Sequence, residues 1–574
     1  IMFFISMAVI GGIITSATSD KIVHVKDNSI LEIKLDNPIP ERTSKNPFEN
    51  FDPLSMDAKQ SIGLNDILKS LNNAKTDDKI KGIFLNLSAI PAGIATIEEI
   101  RGALINFKDS SDKFIIAYSD VYSQGAYYLA TAADKIYLNP KGLVDFKGLN
   151  AEIMFFTKVL ENIGIEPQII RGKTNKFKSA VEPFMYTEMS EANREQTLTF
   201  MASIWNYLLK GISDKRGVSV ENLNMYADSL KIENAQEALN YKLIDGLKYK
   251  DEILAELKEL TKIKPDDKIN FVSMSNYSKT AKSDKNKKFS KNKIAIVFAS
   301  GQIFQGEGDE QTIGGETLSE AIREARMDST VKAIVLRVNS PGGDALASEV
   351  IWREVSLAKK SKPVIVSMGD YAASGGYYIS CPADVIVCNP TTLTGSIGVF
   401  GILWNGKEFL NDKVGIYIDN VKTNTYADLG SIYRPLSAPE KDVIQRTVEE
   451  VYTTFIGHVA EGRNTSTEYV DSIGQGRVWS GINAKEIGLI DEFGGLIKAI
   501  EIAADKAGIS EYRFVGYPKQ KDPFEQFLEQ FLGNTQETLV KKHLGQSYVY
   551  YKKLSNAMTA KGIQTRLPFD IEIY

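Results

Sequence analysis

Ser374 is the residue of this chain whose neighbours best suit it to react. It stands in Gly369-Asp370-Tyr371-Ala372-Ala373-Ser374-Gly375-Gly376-Tyr377-Tyr378, where a polar turn gives way to an apolar run. The two glycines after the serine carry no Cβ, so other groups can come close to its hydroxyl. A helix beginning there would aim unpaired N–H groups and the positive end of its dipole at that oxygen. The chemistry this predicts is nucleophilic attack. Ser-Gly-Gly is also a common plain turn, so the motif needs support from elsewhere in the chain.

A second copy supplies it. Asp120-Val121-Tyr122-Ser123-Gln124-Gly125-Ala126-Tyr127-Tyr128 aligns with Asp370 to Tyr378, and at the same offset Ala133-Asp134 matches Ala383-Asp384, Asn139-Pro140 matches Asn389-Pro390 and Gly148 matches Gly398. Upstream, Ile67, Leu71, Lys75 and Asp77 echo Leu318, Ile322, Arg326 and Asp328; downstream, Asn240 to Asp245 resembles Lys485 to Asp491. The chain is a tandem duplication of a unit of roughly 250 residues. Gln124 occupies the place of Ser374, so the first copy has kept the shape and lost the hydroxyl.

A nucleophilic serine needs a base. The three histidines, His24, His458 and His543, have no setting that pairs them with Ser374, which disfavours a Ser-His-Asp triad. Lysine serves instead where burial leaves it neutral. The first copy offers Lys173, Lys176 and Lys178 within Arg171 to Phe184, and the residues alone do not choose among them. The second copy's counterpart, Val421 to Gly430, carries Leu429 near the place of Lys178. One copy keeps a lysine, the other a serine, and a composite site follows. For an oxyanion hole, Asn339-Ser340-Pro341-Gly342-Gly343-Asp344 follows a buried strand, and the N–H groups of Gly343 and Gly375 are the expected donors, each worth ~3–4 kcal/mol in a transition state. The first copy reads Ala89-Ile90-Pro91-Ala92-Gly93 there, again a blunted version.

The elements that must hold these residues follow from the pattern. Each copy alternates strands (near 30–35, 82–87 and 114–118; then 294–298, 333–338 and 363–366) with helices, which predicts α/β units with mostly parallel strands. Long amphipathic helices are expected near 191–209 and 439–459, the second capped by Ser437 with Glu440. Ser278 to Lys293 holds seven lysines against one aspartate and reads as a solvated linker. Phe524, Phe527, Leu528, Phe531 and Leu532 form an apolar stripe at helical spacing. Ile1 to Ile14 is unbroken apolar or small sequence, short of the about twenty residues of a spanning helix, and is expected to be the end of a retained anchor. A net charge of -5 and a pI near 5.7 argue against nucleic acid as the main partner. Cys381 and Cys388 read as buried small hydrophobes. Neither a phosphate-binding glycine loop nor a clustered metal-ligand set is present in the sequence, so no cofactor and no metal are expected.

Five separated motifs, Ser340-Pro341-Gly342-Gly343, Gly369 to Tyr378, Leu393-Thr394-Gly395-Ser396-Ile397-Gly398, Lys178-Ser179-Ala180-Val181-Glu182-Pro183-Phe184 and Gly476-Arg477-Val478-Trp479-Ser480-Gly481, resemble the long, duplicated form of the bacterial signal peptide peptidase A family. The resemblance runs from the anchor to about Gly516. It implies an α/β chain built as a tandem duplication of a Clp/crotonase-like domain of repeated ββα units, with an N-terminal membrane helix. It implies an anchor over 1–20, a lysine-supplying domain over 29–275, a flexible basic linker over 276–293, a serine-supplying domain over 294–515 and a partly helical tail over 516–574. Carried over by position, Ser374 is the nucleophile, Lys178 the general base and Ser396 a lysine-orienting partner; the first copy has Phe146 at that last place. The implied activity is a Ser/Lys serine endopeptidase in the cytoplasmic membrane, its catalytic domains on the extracytoplasmic side, degrading remnant signal peptides as a homotetramer. A crotonase-type acyl-CoA enzyme and an inactive binding scaffold are the alternatives.

Overall fold

The computed structural model describes residues 24–45, 51–52, 57–58, 61–280, 290–520, 544, 548–558, 561–567 and 572–573. The expected anchor over 1–20 and the apolar stripe from Phe524 to Leu532 lie outside them. No helix among the described residues is long and apolar enough to cross a membrane.

The first half is built on a six-stranded sheet in the order Asn270–Ser273, Ser29–Ile33, Ile80–Asn86, Phe114–Tyr122, Lys135–Val144, Gly246–Leu247. All its pairings are parallel, as strands separated by helices require. The second half repeats the plan with Leu393–Gly395, Val364–Ala373, Val331–Ser340, Lys293–Ser300 and Arg513–Tyr517. The duplication is visible down to single hydrogen bonds. Asp134 accepts from the N–H of Ile115, and Asp384 from that of Val364. Asp245 accepts from Ile136 and Asp491 from Ile386. The Tyr127 hydroxyl donates to the Leu243 carbonyl, and Tyr377 to Leu489. A tyrosine or aspartate kept at both places is therefore tying a helix or strand end to its sheet.

Helices Glu191–Arg216 and Ala438–Arg463 are the two long amphipathic ones, each longer than expected at its C-terminal end, and Ser437 and Glu440 form the capping box. The stretch read as the start of a linker is a helix, Met274–Thr280, because Met274 and Tyr277 bury themselves against the first sheet and the Tyr277 hydroxyl reaches Asp77. Cys381 and Cys388 are buried and unbridged.

The halves are not independent bodies. One buried cluster runs from Ile83 and Leu104 in the first half to Ile296, Val335, Ile365 and Ala499 in the second. Across the same junction the fully buried Arg337 guanidinium pairs with Glu41 at 2.7 Å and Glu99 at 2.8 Å. Asp370 accepts from the Thr96 N–H and hydroxyl. A third sheet joins them as well: Thr312–Gly314, Gln302–Phe304, Gly342–Asp344, Gly562–Arg566, Phe400–Asn405, Glu166–Arg171. Its strand Glu166–Arg171, from the first half, pairs antiparallel with Phe400–Asn405 of the second.

Candidate active site

Ser374 sits at the junction of the strand Val364–Ala373 and the short helix Gly375–Ser380. Its backbone is held at φ 54 and ψ -113, a conformation that side-chain-bearing residues rarely adopt and that persists only when the surroundings enforce it. The enforcement is visible: the Ser374 N–H donates to the Gly395 carbonyl at 2.8 Å, and the Tyr378 N–H to the Ser374 carbonyl. The turn thrusts the hydroxyl off the end of the strand.

The strand Glu166–Arg171 delivers the lysine segment from the other half. Beyond it, the Phe177 N–H donates to the Gln475 carbonyl, and Gln196 on the long helix donates to the Phe177 carbonyl and the Ser179 hydroxyl. The same glutamine accepts from the Val478 N–H, so it stitches the lysine segment to the Gly476–Trp479 stretch. Gly476 has φ 83, and a Cβ there would stand 2.5 Å from Lys178 Cα. Only glycine lets the lysine backbone approach so closely.

Lys178 is fully buried, and its Nζ lies 2.8 Å from Ser374 Oγ, 3.0 Å from Ser396 O and 3.0 Å from Ser396 Oγ. Burial pushes its pKa well below the usual lysine value, with no carboxylate offsetting it. A neutral amine has two N–H donors and one lone pair. In that neutral form the two Ser396 oxygens can take the donors, which leaves the lone pair for the Ser374 hydroxyl. Ser396, itself at φ 50, is fixed by its N–H on the Arg477 carbonyl and its hydroxyl on the Gly476 carbonyl. The other two lysines go elsewhere: Lys173 pairs with Glu449 at the surface, and Lys176 lies over the Phe177 ring.

Gly343 and Gly375 approach the site from two elements. A Cβ built on Gly342, at φ 95, would be 2.6 Å from the Gly375 nitrogen, so the glycine loop and the start of the serine helix lie against each other. The loop's shape depends on Ser340, whose hydroxyl accepts from the Gly342 N–H. In the first copy, Gln124 has become a structural tie: its side chain donates to the Gly148 carbonyl and accepts from the N–H groups of Lys147 and Gly148. None of the histidines reaches Ser374 among the described residues; His458 pairs with Glu349 and stacks on Trp352. No group of three or more metal-ligating side chains is found among the described residues.

Sequence reasoning missed one contributor. The strand Gly562–Arg566 from the tail lies beside the glycine loop, with Thr565 opposite Gly343. Nothing in Gly-Ile-Gln-Thr-Arg marks it, beyond alternation too short to read.

The model of peptidase family S49 matches twice, over residues 107–264 and 356–510, once in each half. Protease 4 of Haemophilus influenzae is 38% identical over 454 residues, 77% of this chain and 73% of that protein. Protease 4 of Salmonella typhi is 37% identical over 84% of this chain and 78% of its own length. A chloroplastic serine protease SPPA of Arabidopsis thaliana is 35% identical over 80% of this chain and 68% of its own. The chain belongs to peptidase family S49 and is a serine peptidase.

Proposed function

We propose that the chain is a membrane-anchored endopeptidase with a Ser374–Lys178 dyad, degrading remnant signal peptides and similar hydrophobic peptides after their release from preproteins. The observation that carries this reading is the 2.8 Å contact between a buried, desolvated amine and a serine hydroxyl from the other half. Neutral Lys178 takes the proton of Ser374 as its oxygen attacks the peptide carbonyl. The N–H groups of Gly343 and Gly375 stabilise the oxyanion. Lys178, now charged and held by both Ser396 oxygens, hands the proton to the leaving amine. Water then attacks the ester with Lys178 again as base. Apolar lining beside the site, from Phe304, Leu346, Leu403 and Val451, suits hydrophobic side chains. The anchor, the extracytoplasmic placement of Clp/crotonase-like domains and the homotetramer rest on the resemblance to the signal peptide peptidase A family.

The test is labelling and turnover together. A serine-directed acylating probe should label Ser374 in the folded chain, and hydrolysis of a hydrophobic peptide should vanish in Ser374→Ala and in Lys178→Ala. Full activity in either purified variant would remove the dyad.

A further inference from the structure

A glutamate is kept at one place in both halves, and the two copies treat it differently. In the first, the Glu98 carboxylate accepts from two phenols, Tyr128 on one oxygen and Tyr207 on the other, so both oxygens are taken. At the matching places of the second copy stand Glu349 and Tyr378, and the long helix that follows again supplies the second partner, here His458. The Tyr378 hydroxyl donates to Glu349 Oε2, and His458 Nε2 lies 3.0 Å from that same oxygen. Trp352 stacks on the imidazole with ring centroids 3.5 Å apart, which fixes its plane. Glu349 Oε1 therefore has no hydrogen bond among the described residues.

That open oxygen belongs to a group in the wall of the cavity beside the serine. The Glu349 side chain is 39% exposed, and with Tyr378 it lines the cavity of about 1010 Å³ that Phe304, Leu346, Leu403 and Val451 make apolar. Tyr378 stands one helical turn beyond Ser374, its N–H on the Ser374 carbonyl. Among the described residues the lining carries the carboxylates of Asp344, Glu349 and Glu450 against the ammonium of Lys561, and the exposed Arg353 stands on the same helix as Glu349. Asp344 is already engaged, accepting from the Ala347 N–H and the Gln305 amide. An apolar cavity with an open carboxylate oxygen in its wall is the complement of a lysine or arginine side chain, whose methylene stem buries while its cationic head seeks an acceptor.

We propose that Glu349 is a specificity-determining residue that seats a basic side chain of the peptide in this cavity; this rests on the peptidase reading above and narrows its substrates to apolar peptides carrying a lysine or arginine near the cut. Tyr378 and His458 are positioning residues: they hold the carboxylate by one oxygen and leave the other for the incoming cation. Remnant signal peptides have this make-up, a positively charged start followed by an apolar run.

The experiment gives the purified full chain a set of N-acetylated, apolar fluorogenic peptides in which lysine replaces norleucine at one position at a time. The expected result is one position at which lysine raises kcat/KM about tenfold over norleucine, the worth of a charge-assisted hydrogen bond at a partly exposed group. Acetylating that lysine should return the rate to the norleucine level. Glu349→Gln should bring the ratio to about one, Glu349→Asp should keep most of it, and Glu98→Gln, the same change in the first copy, should leave it intact. Hydrolysis of the norleucine peptides with no lysine preference at any position, or a preference that survives acetylation or Glu349→Gln, overturns the proposal and leaves the peptidase reading standing. A preference lost equally in Glu98→Gln assigns it to the fold as a whole and also overturns the proposal. A chain that hydrolyses none of the peptides overturns both readings.

Discussion

Replacing Lys178 with methionine should abolish catalysis and change how stability depends on pH. Burial holds the folded amine's pKa well below the ordinary 10.5, whereas the unfolded chain titrates close to that value. Between those two pH values the unfolded state binds one more proton than the folded state, so stability rises with pH at about 1.36 kcal/mol per unit. The contribution is flat below the folded pKa, where both states are charged, and above 10.5, where both are neutral. Methionine has similar length and does not titrate, so Lys178→Met loses this slope. The stability difference between variant and wild type should therefore shift by about 2.7 kcal/mol across two pH units inside the window, in favour of wild type as pH rises. The variant also leaves the hydroxyls of Ser374 and Ser396 without the amine, roughly 1–3 kcal/mol. That cost is the same at every pH, so it displaces the curve without tilting it. The assay is denaturant unfolding of both full-length proteins at several pH values and constant ionic strength. Parallel curves would show that the folded lysine is charged, and the mechanism would lose its base.

Four further outcomes are expected. Hydrolysis of a hydrophobic peptide should fall as pH drops through the folded Lys178 pKa, because the charged amine cannot accept a proton; a rate independent of pH on the acid side would contradict this. Ser396→Ala removes one of the two acceptors that orient the amine and should lower kcat by about fivefold, the equivalent of one neutral hydrogen bond of ~1 kcal/mol. Gly476→Ala would force a Cβ to within 2.5 Å of Lys178 Cα; a lysine displaced by about 1 Å should cost roughly a hundredfold in kcat with little change in KM. Arg337→Met would leave Glu41 and Glu99 buried without their cation and should destabilise the chain by about 3–5 kcal/mol in thermal or denaturant unfolding.

The sequence carried the plan of the fold because the plan is written twice. Asp134 with Asp384 and Tyr127 with Tyr377 repeat at one spacing and perform one task in both halves, so comparing the copies exposed them before any coordinates did. The glycine loop and the Ser374 turn were readable for the opposite reason: they differ between the copies where the rest agrees. Lys178 was harder. Its neighbours Lys173 and Lys176 have the same chemistry, and what separates the three is burial, a property set by Gly476 and Gln196 from distant parts of the chain. Arg337, Glu41 and Glu99 gave no signal at all, since a charge in a strand looks solvated until its partners, hundreds of residues away, are known. The tail strand was invisible likewise, because its ladder partners lie in Gly342–Asp344 and Phe400–Ile402.

The cross-half sheet has a consequence for how this molecule is born. Ribosomes emit the chain from the amino end, so Lys178 is finished while Ser374, its partner in the proposed dyad, has yet to be translated. The strand Glu166–Arg171 must wait for its ladder partner Phe400–Asn405 to arrive. With the proposed dyad, any nascent or prematurely terminated product lacking that later segment would carry no working scissors, and the cell would be spared a half-made protease.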